Sequence, residues 1–376
     1  MRKLRVGLIG GGGPGSFFGR VHWRSMSLDG SRHLVAGALR SSPEAAMASA
    51  DEFDVCGYPT YEAMLDACAK GDLQLDYVTV ATPNNAHYGP AKAFLEAGIP
   101  VLCEKPVSMT VEEAEELDRI ARREDIPFVL AHTYTGHPML MTAREMIRAG
   151  AIGEVRKVEA WYRQGWLADP IEEEVQQAQW RTDPQRAGMS CCGGDIGSHA
   201  FIAATWVTGL DVSRVSARLS TFVAGRVLDD DFNVMAEMSN GATGIITATQ
   251  IAVGYKNDNG IRVFGSRGSL EWHQERAEKL LVRRGEADEV YWTGANYSFT
   301  PEPVKPYLRV PAGHMEDFFP ALANLHLTME LAIRRRRGEE VPAPYPHPGT
   351  REGVAEMKFV AAAIKSSESD GTWLAI

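Results

Sequence analysis

Short apolar runs at residues 4–9, 34–39, 77–81, 101–103 and 128–131 alternate with stretches of helical periodicity at 16–28, 61–68, 89–96 and 111–124. Strand followed by helix, repeated this often, has one economical solution: a parallel, doubly wound sheet with helices on its faces. The junctions agree. Ser42-Pro43-Glu44 puts a capping hydroxyl and a first-turn proline at a further helix start, and Gly98 closes another helix. After about residue 132 the pattern changes. A helix expected at 140–149 is followed by strand-leaning segments at 155–161, 215–223, 232–238, 243–250, 261–264 and 269–272, with helices expected at 196–208 and 314–336. Turn signals such as Ser239-Asn240-Gly241 and Gly265-Ser266-Arg267-Gly268 join them. The chain of 376 residues is long for one core. The expected organisation is an α/β domain at 1–131 and, at 132–376, an α+β domain with a large, predominantly antiparallel open sheet.

Charge narrows the partners. Asp and Glu outnumber Lys and Arg by 49 to 39, and the net charge of −10 repels phosphate backbones, so nucleic acid is not expected. The basic run Arg334 to Arg337 follows a helical segment, where cations complement the carbonyl end, and reads as a solvated helix terminus. No segment has the length of a membrane span, and Met1-Arg2-Lys3-Leu4 runs into the first strand without an apolar leader. The five cysteines lack CxxC spacing, which fits reduced thiols, a cytoplasmic location and no metal site.

The first strand runs into Gly10-Gly11-Gly12-Gly13-Pro14-Gly15. Gly10-x-Gly12-x-x-Gly15 satisfies the dinucleotide fingerprint, in which glycines let the backbone turn and approach a pyrophosphate seated on the following helix. Gly10, Gly12, Gly13 and Gly15 are the candidates; Gly19 could instead supply the third glycine after a small insertion. At the end of the second strand an acid would bond a ribose 2′-hydroxyl, but the chain offers Leu39-Arg40-Ser41-Ser42. Arg40, assisted by Ser41, can pair with a 2′-phosphate, which favours NADP over NAD. The alternative is an exposed arginine beside a helix cap.

Two polar clusters remain. Thr82, Pro83, Asn84 and His87 follow the strand at 77–81, and Glu104-Lys105-Pro106 closes the apolar run 98–103. Both lie where open α/β sheets bind ligands, at the carboxyl ends of strands. Pro106 can hold a cis peptide that directs Lys105; judged alone, Lys105 could equally be a surface ion-pair partner. Downstream, Gly193-Gly194-Asp195-Ile196-Gly197-Ser198-His199 places Asp195 as cap of an apolar helix ended by Gly209, with His199 one turn on. A histidine near a helix N-terminus tends to stay neutral and can accept a proton, as alcohol oxidation requires. A plain cap with an incidental histidine is the other reading.

Together these pieces resemble the Gfo/Idh/MocA oxidoreductases, the family of glucose–fructose oxidoreductase and inositol dehydrogenase. The glycine loop, Ala81-Thr82-Pro83-Asn84 with His87, Glu104-Lys105-Pro106, Gly150-Ala151-Ile152-Gly153-Glu154-Val155, and Asp195 with His199 fall in the family's order. The resemblance implies a Rossmann domain followed by a substrate-binding and oligomerisation domain whose sheet forms a dimer or tetramer interface. It implies Lys105, Asp195 and His199 as catalytic group, and Thr82, Pro83, Asn84, His87, Glu104 and Lys105 beside the cofactor. The segments 162–167, with Trp166, and 180–184, with Arg181, resemble branches acting on unphosphorylated sugars, anhydrosugars or glycosides. Tyr134 and His314 are further candidate substrate contacts. The expected function is NAD(P)-dependent oxidation of a secondary ring hydroxyl of a sugar, glycoside or cyclitol. Two alternatives stay open: oxidation and elimination at a glycosidic bond with a retained cofactor, and a cofactor-loaded regulatory protein without chemistry.

Overall fold

The structure, a computed structural model, describes residues 2–13 and 16–376. The chain divides into two units, Met1–Gly136 with Phe318–Val354, and His137–Asp317 with Ala355–Ile376. This differs from the contiguous division expected at residue 131/132, because a late segment returns to the first unit.

In the first unit, β1 (Leu4–Ile9), β2 (Arg32–Ala38), β3 (Cys56–Gly57), β4 (Tyr77–Val80), β5 (Val101–Cys103) and β6 (Phe128–Leu130) form one sheet. Its order is β3-β2-β1-β4-β5-β6 with every pairing parallel. The strand order reverses between β1 and β4, which opens a crevice at their carboxyl ends. The helix starts follow local chemistry: Ser42 Oγ accepts from the Ala45 amide at 3.2 Å, and Pro43 takes the first turn.

The core shows why the late segment belongs here. Leu4, Val6 and Leu8 of β1, with Val21 and Met26, are buried in one cluster with Leu322, Leu325, Met329 and Ile333 of the helix Phe318–Arg336. Polar contacts pin the same helix. Glu330 accepts from the buried Arg32 at 2.6 Å, from Ser31 at 2.7 Å and from Arg334 at 2.8 Å. The basic run closes the helix with Arg335, Arg336 and Arg337 exposed, as expected, but Arg334 is buried and pairs with Glu330 and Glu339, and Arg337 also pairs with Asp76. Glu330→Ala would leave Arg32 and Arg334 without this carboxylate. We expect a loss of roughly 3–5 kcal/mol, the usual consequence of breaking a buried pair from one side, read from the urea midpoint.

The second unit carries β7 (Val155–Arg163), β8 (Val212–Ser220), β9 (Asp231–Met238), β10 (Thr243–Thr249), β11 (Asp258–Gly265), β12 (Ser269–His273), β13 (Lys279–Arg284), β14 (Ala287–Trp292) and β15 (Leu374–Ala375). They form one sheet in the order β14-β13-β12-β11-β7-β10-β9-β8-β15. The β7–β10 pair is parallel and the others are antiparallel. Alternating burial along β9 shows a sheet with one covered face, and the apolar helix Ser198–Thr208 packs on β7, β10 and β11. Phe359, from the helix Thr350–Glu368, stacks on Phe201 at 4.4 Å between ring centroids. That helix and the short helices Gln176–Arg181 and Pro184–Ala187 were not expected from the sequence. Among the described residues no helix is long and apolar enough to cross a membrane.

Candidate active site

The first unit supplies a nucleotide cradle. Gly10 and Gly11 both adopt φ +79°, the left-handed region open to glycine, and a Cβ on Gly10 would lie 2.6 Å from the Thr82 side chain. A Cβ on Gly12 would lie 2.6 Å from that of Leu39, whereas Gly13 faces open space. Gly15 lies outside the described residues. Gly19 provides the close approach between helix and loop: a Cβ there would sit 2.1 Å from the Gly11 carbonyl oxygen. The third-glycine position thus falls on Gly19. Among the described residues the helix Phe17–Ser27 has no acid in its first turn and no side-chain cap from Ser16, which suits an approaching anion. Arg40 and Ser41 are exposed just beyond β2, where a ribose would be read.

Beside this cradle, His87 is buried with Nδ1 2.6 Å from the Pro106 carbonyl and Nε2 2.9 Å from that of Thr82. Burial outweighs these two acceptors and lowers its pKa. Thr82 Oγ1 donates to the Ala86 carbonyl at 2.9 Å, closing the turn after Pro83 that holds the buried Asn84. The Lys105–Pro106 peptide is cis, and Lys105 is half-buried at the end of β5. Glu104 is buried. Desolvation opposes its charge, but the hydrogen bond from His22 at 2.9 Å and the nearby Lys105 hold its carboxyl below the ordinary value. Tyr134 is half-buried, its ring 6.4 Å from Phe318.

The second unit holds Asp195, and not as the expected helix cap. Gly193–Gly197 forms a π-helical turn running into the helix Ser198–Thr208, so Asp195 sits inside a widened turn. Asp229 orders the start of this turn by accepting from the Cys191 amide at 3.0 Å and the Gly193 amide at 2.9 Å. Gly193 is required by the Phe232 ring, which a Cβ would meet at 2.5 Å. Asp195 Oδ2 accepts from Arg181 Nε at 2.8 Å and from Gln250 Nε2 at 2.9 Å. Arg181 lies over Trp180 at 4.1 Å and Trp166 at 5.7 Å from the ring centroids, so cation–π contacts hold it beside Asp195.

His199 is half-buried, its ring 5.9 Å from that of Tyr162. Tyr162 donates to Asn257 at 2.9 Å, Gln164 donates to the same oxygen at 2.6 Å, and Trp166 donates to Gln164 at 2.9 Å. These bonds fix the aromatic wall beside the polar pair. His314 is exposed near the Pro311 carbonyl. Within each unit, then, the structure groups Thr82, His87, Glu104 and Lys105 in one, and Trp166, Arg181 and Asp195 in the other. Sequence reasoning missed Gln250, which reads only as a strand end, and His22 and His326, which lie within helical apolar patterns.

A cradle that a Cβ on Gly10, Gly11, Gly12 or Gly19 would crowd, placed at a strand-order reversal, fits a dinucleotide. The family comparison agrees. Residues 4–132 match the model described as "Oxidoreductase family, NAD-binding Rossmann fold", and residues 140–271 match that of the GFO/IDH/MocA C-terminal domain. The chain belongs to the Gfo/Idh/MocA oxidoreductase family. Levoglucosan dehydrogenase from Pseudarthrobacter phenanthrenivorans is 30% identical over 75% of this chain and 76% of its own length. The inositol dehydrogenase homolog from Azotobacter vinelandii complexed with NAD+ superimposes with a TM-score of 0.92 at 31% identity, covering 100% of this chain and 98% of that one. The same homolog with NADH and myo-inositol gives a TM-score of 0.89 at 30% identity over 100% and 98%. This oxidoreductase therefore has the parallel nucleotide-binding sheet and the predominantly antiparallel second sheet expected from its sequence.

Proposed function

We propose that the chain is an NAD(P)-dependent dehydrogenase that reversibly oxidises a secondary ring hydroxyl of a sugar, anhydrosugar, glycoside or cyclitol. The observation that carries this reading is Lys105 at the carboxyl end of β5, in the same sheet as the glycine cradle after β1. A bound nicotinamide would accept or return the hydride. The protein's own part is to orient the alcohol and move its proton. Lys105 donates to the reacting oxygen and stabilises charge developing there. His199 takes the hydroxyl proton, and Asp195, held by Arg181 and Gln250, is its hydrogen-bonded partner at the reacting hydroxyl. Trp166, with Arg181, offers the apolar face and donors that a polyol ring uses, and Tyr134 and His314 are further contacts. Relatives named for levoglucosan and inositol support the substrate class. Gly10, Gly12, Gly13, Thr82, Pro83, Asn84, His87 and Glu104 would line the nucleotide's side; Gly15, the remaining candidate, lies outside the described residues. A homodimer or homotetramer is part of the same proposal.

The test measures nicotinamide reduction by near-ultraviolet absorbance, with NAD+ and NADP+ separately, across sugars, cyclitols and glycosides. Reduction with one ring class supports the reading; net glycoside cleavage without net reduction would replace it with the elimination reaction. We read Arg40 and Ser41 as favouring NADP. Arg40→Asp is then expected to lower kcat/KM for NADP+ by about 10- to 100-fold, the worth of one charge-assisted contact, and to spare NAD+. Equal loss with both nucleotides would remove that assignment.

A further inference from the structure

The first unit contains a buried line of polar side chains that the reaction does not use directly. Tyr77 Oη is 2.8 Å from His326 Nδ1, His326 Nε2 is 3.0 Å from His22 Nδ1, and His22 Nε2 is 2.9 Å from Glu104 Oε1. Tyr77, His326 and His22 are fully buried, and they come from β4, the returning helix Phe318–Arg336 and the first helix, Phe17–Ser27. Glu104 Oε2, the other carboxylate oxygen, accepts from the Lys105 backbone amide at 3.3 Å.

Donor bookkeeping gives this line a direction. An ionised Glu104 only accepts, so His22 donates from Nε2. With both rings neutral, His22 Nδ1 then accepts from His326 Nε2, and His326 Nδ1 accepts from the tyrosine hydroxyl. Every bond is made with no additional charge in a place where an unmatched polar atom would be costly. The charged groups around the line are Glu104 and Lys105 at one end and, around Tyr77 and His326, Arg32 paired with Glu330, and Asp76. Burial first, and then the Arg32 cation, hold the His326 pKa well below its ordinary value.

We propose that Tyr77, His326 and His22 are positioning residues: a one-way chain of neutral groups that fixes the Glu104 carboxylate and, through it, the backbone from which Lys105 projects. This rests on Lys105 acting as proposed above.

The test has two arms on the full-length protein. In the first, 15N-histidine NMR reads ring protonation from about pH 6 to about pH 9, a range spanning the ordinary histidine titration. Assignment uses His22→Gln and His326→Gln. At the upper end of that range both rings are expected to carry the proton on Nε2; a proton on Nδ1 of either ring there overturns the chain. In the second, His326→Phe is expected to lower kcat by about 10- to 100-fold, the effect of a slightly misplaced catalytic group, with KM for the nucleotide near the parent value. His326→Gln keeps one acceptor and one donor and is expected to recover most of the loss. Equal impairment in Gln and Phe, with folding confirmed by thermal midpoint, means a merely structural role. If Lys105→Met retains activity, the functional reading fails. The ring protons and the exchange rate of the Lys105 amide, expected to rise in His326→Phe, still decide the chain by themselves.

Discussion

Replacing Lys105 by methionine is expected to cut turnover by about 10²- to 10³-fold, the range for removing one donor to a developing oxyanion. Methionine keeps the length and apolar stem of the side chain, and Lys105 is half-buried at a strand end, so the fold should survive. The hydrogen bonds of Glu104 to His22 and to the Lys105 backbone amide do not use the ammonium. Nucleotide affinity, measured by fluorescence titration, should therefore change much less than kcat. That separation is the informative part. A loss confined to KM would make Lys105 a binding residue, and turnover within about fivefold of the parent would sink its proposed role in charge stabilisation.

Gly19→Val is expected to have the other large effect. Its Cβ would lie 2.1 Å from the Gly11 carbonyl oxygen and 2.5 Å from the Gly11 Cα, both backbone atoms that no rotamer change can move away. The loop and the helix must part, at a cost of at least about 1–3 kcal/mol for overpacking, and the cradle opens with them. We expect a lowered thermal midpoint together with nucleotide affinity too weak to saturate. Gly13→Ala is the contrast: nothing stands within 4 Å of its Cβ, so the midpoint should hold while affinity reports how closely the ligand comes. A Gly19→Val protein with parental midpoint and affinity would show that the helix does not need this approach.

These two positions illustrate how unevenly the sequence discloses its fold. Lys105 was legible because the strand ahead of it is a continuous buried run and the proline after it bounds the element. The first five apolar strands were found within a few residues for the same reason, since strands buried on both faces carry unbroken apolar runs. Gly19 was visible only as an alternative, because five glycines in six residues satisfy several spacings and close packing is a three-dimensional fact. Asp195 was misplaced. Asp-x-x-x-His reads as one α-helical turn, and nothing local announces the π-helical turn that Asp229, just ahead of β9, and the Phe232 ring on β9 help to shape. The strands β13 and β14 escaped notice because charged residues interrupt their apolar positions, leaving no run and little alternation to detect in the sequence. Gln250 and the His22–His326 pair are tertiary relationships between residues 55 and 304 positions apart from their partners.

The return of Phe318–Val354 to the first unit has a consequence for how the protein is made. When residues 4–136 have left the ribosome, Leu4, Val6, Leu8 and Met26 still lack the leucines, methionine and isoleucine of 318–336 that will cover them. Arg32 also waits for its glutamate. The nucleotide-binding sheet is therefore synthesised well ahead of residues 318–354 and cannot be completed until they have followed. A nascent chain in that interval presents apolar surface for which chaperones and self-association compete. Excising residues 1–131 as a free domain should yield an aggregating protein, whereas joining 318–354 back to 1–136 by a short flexible linker should restore a soluble one.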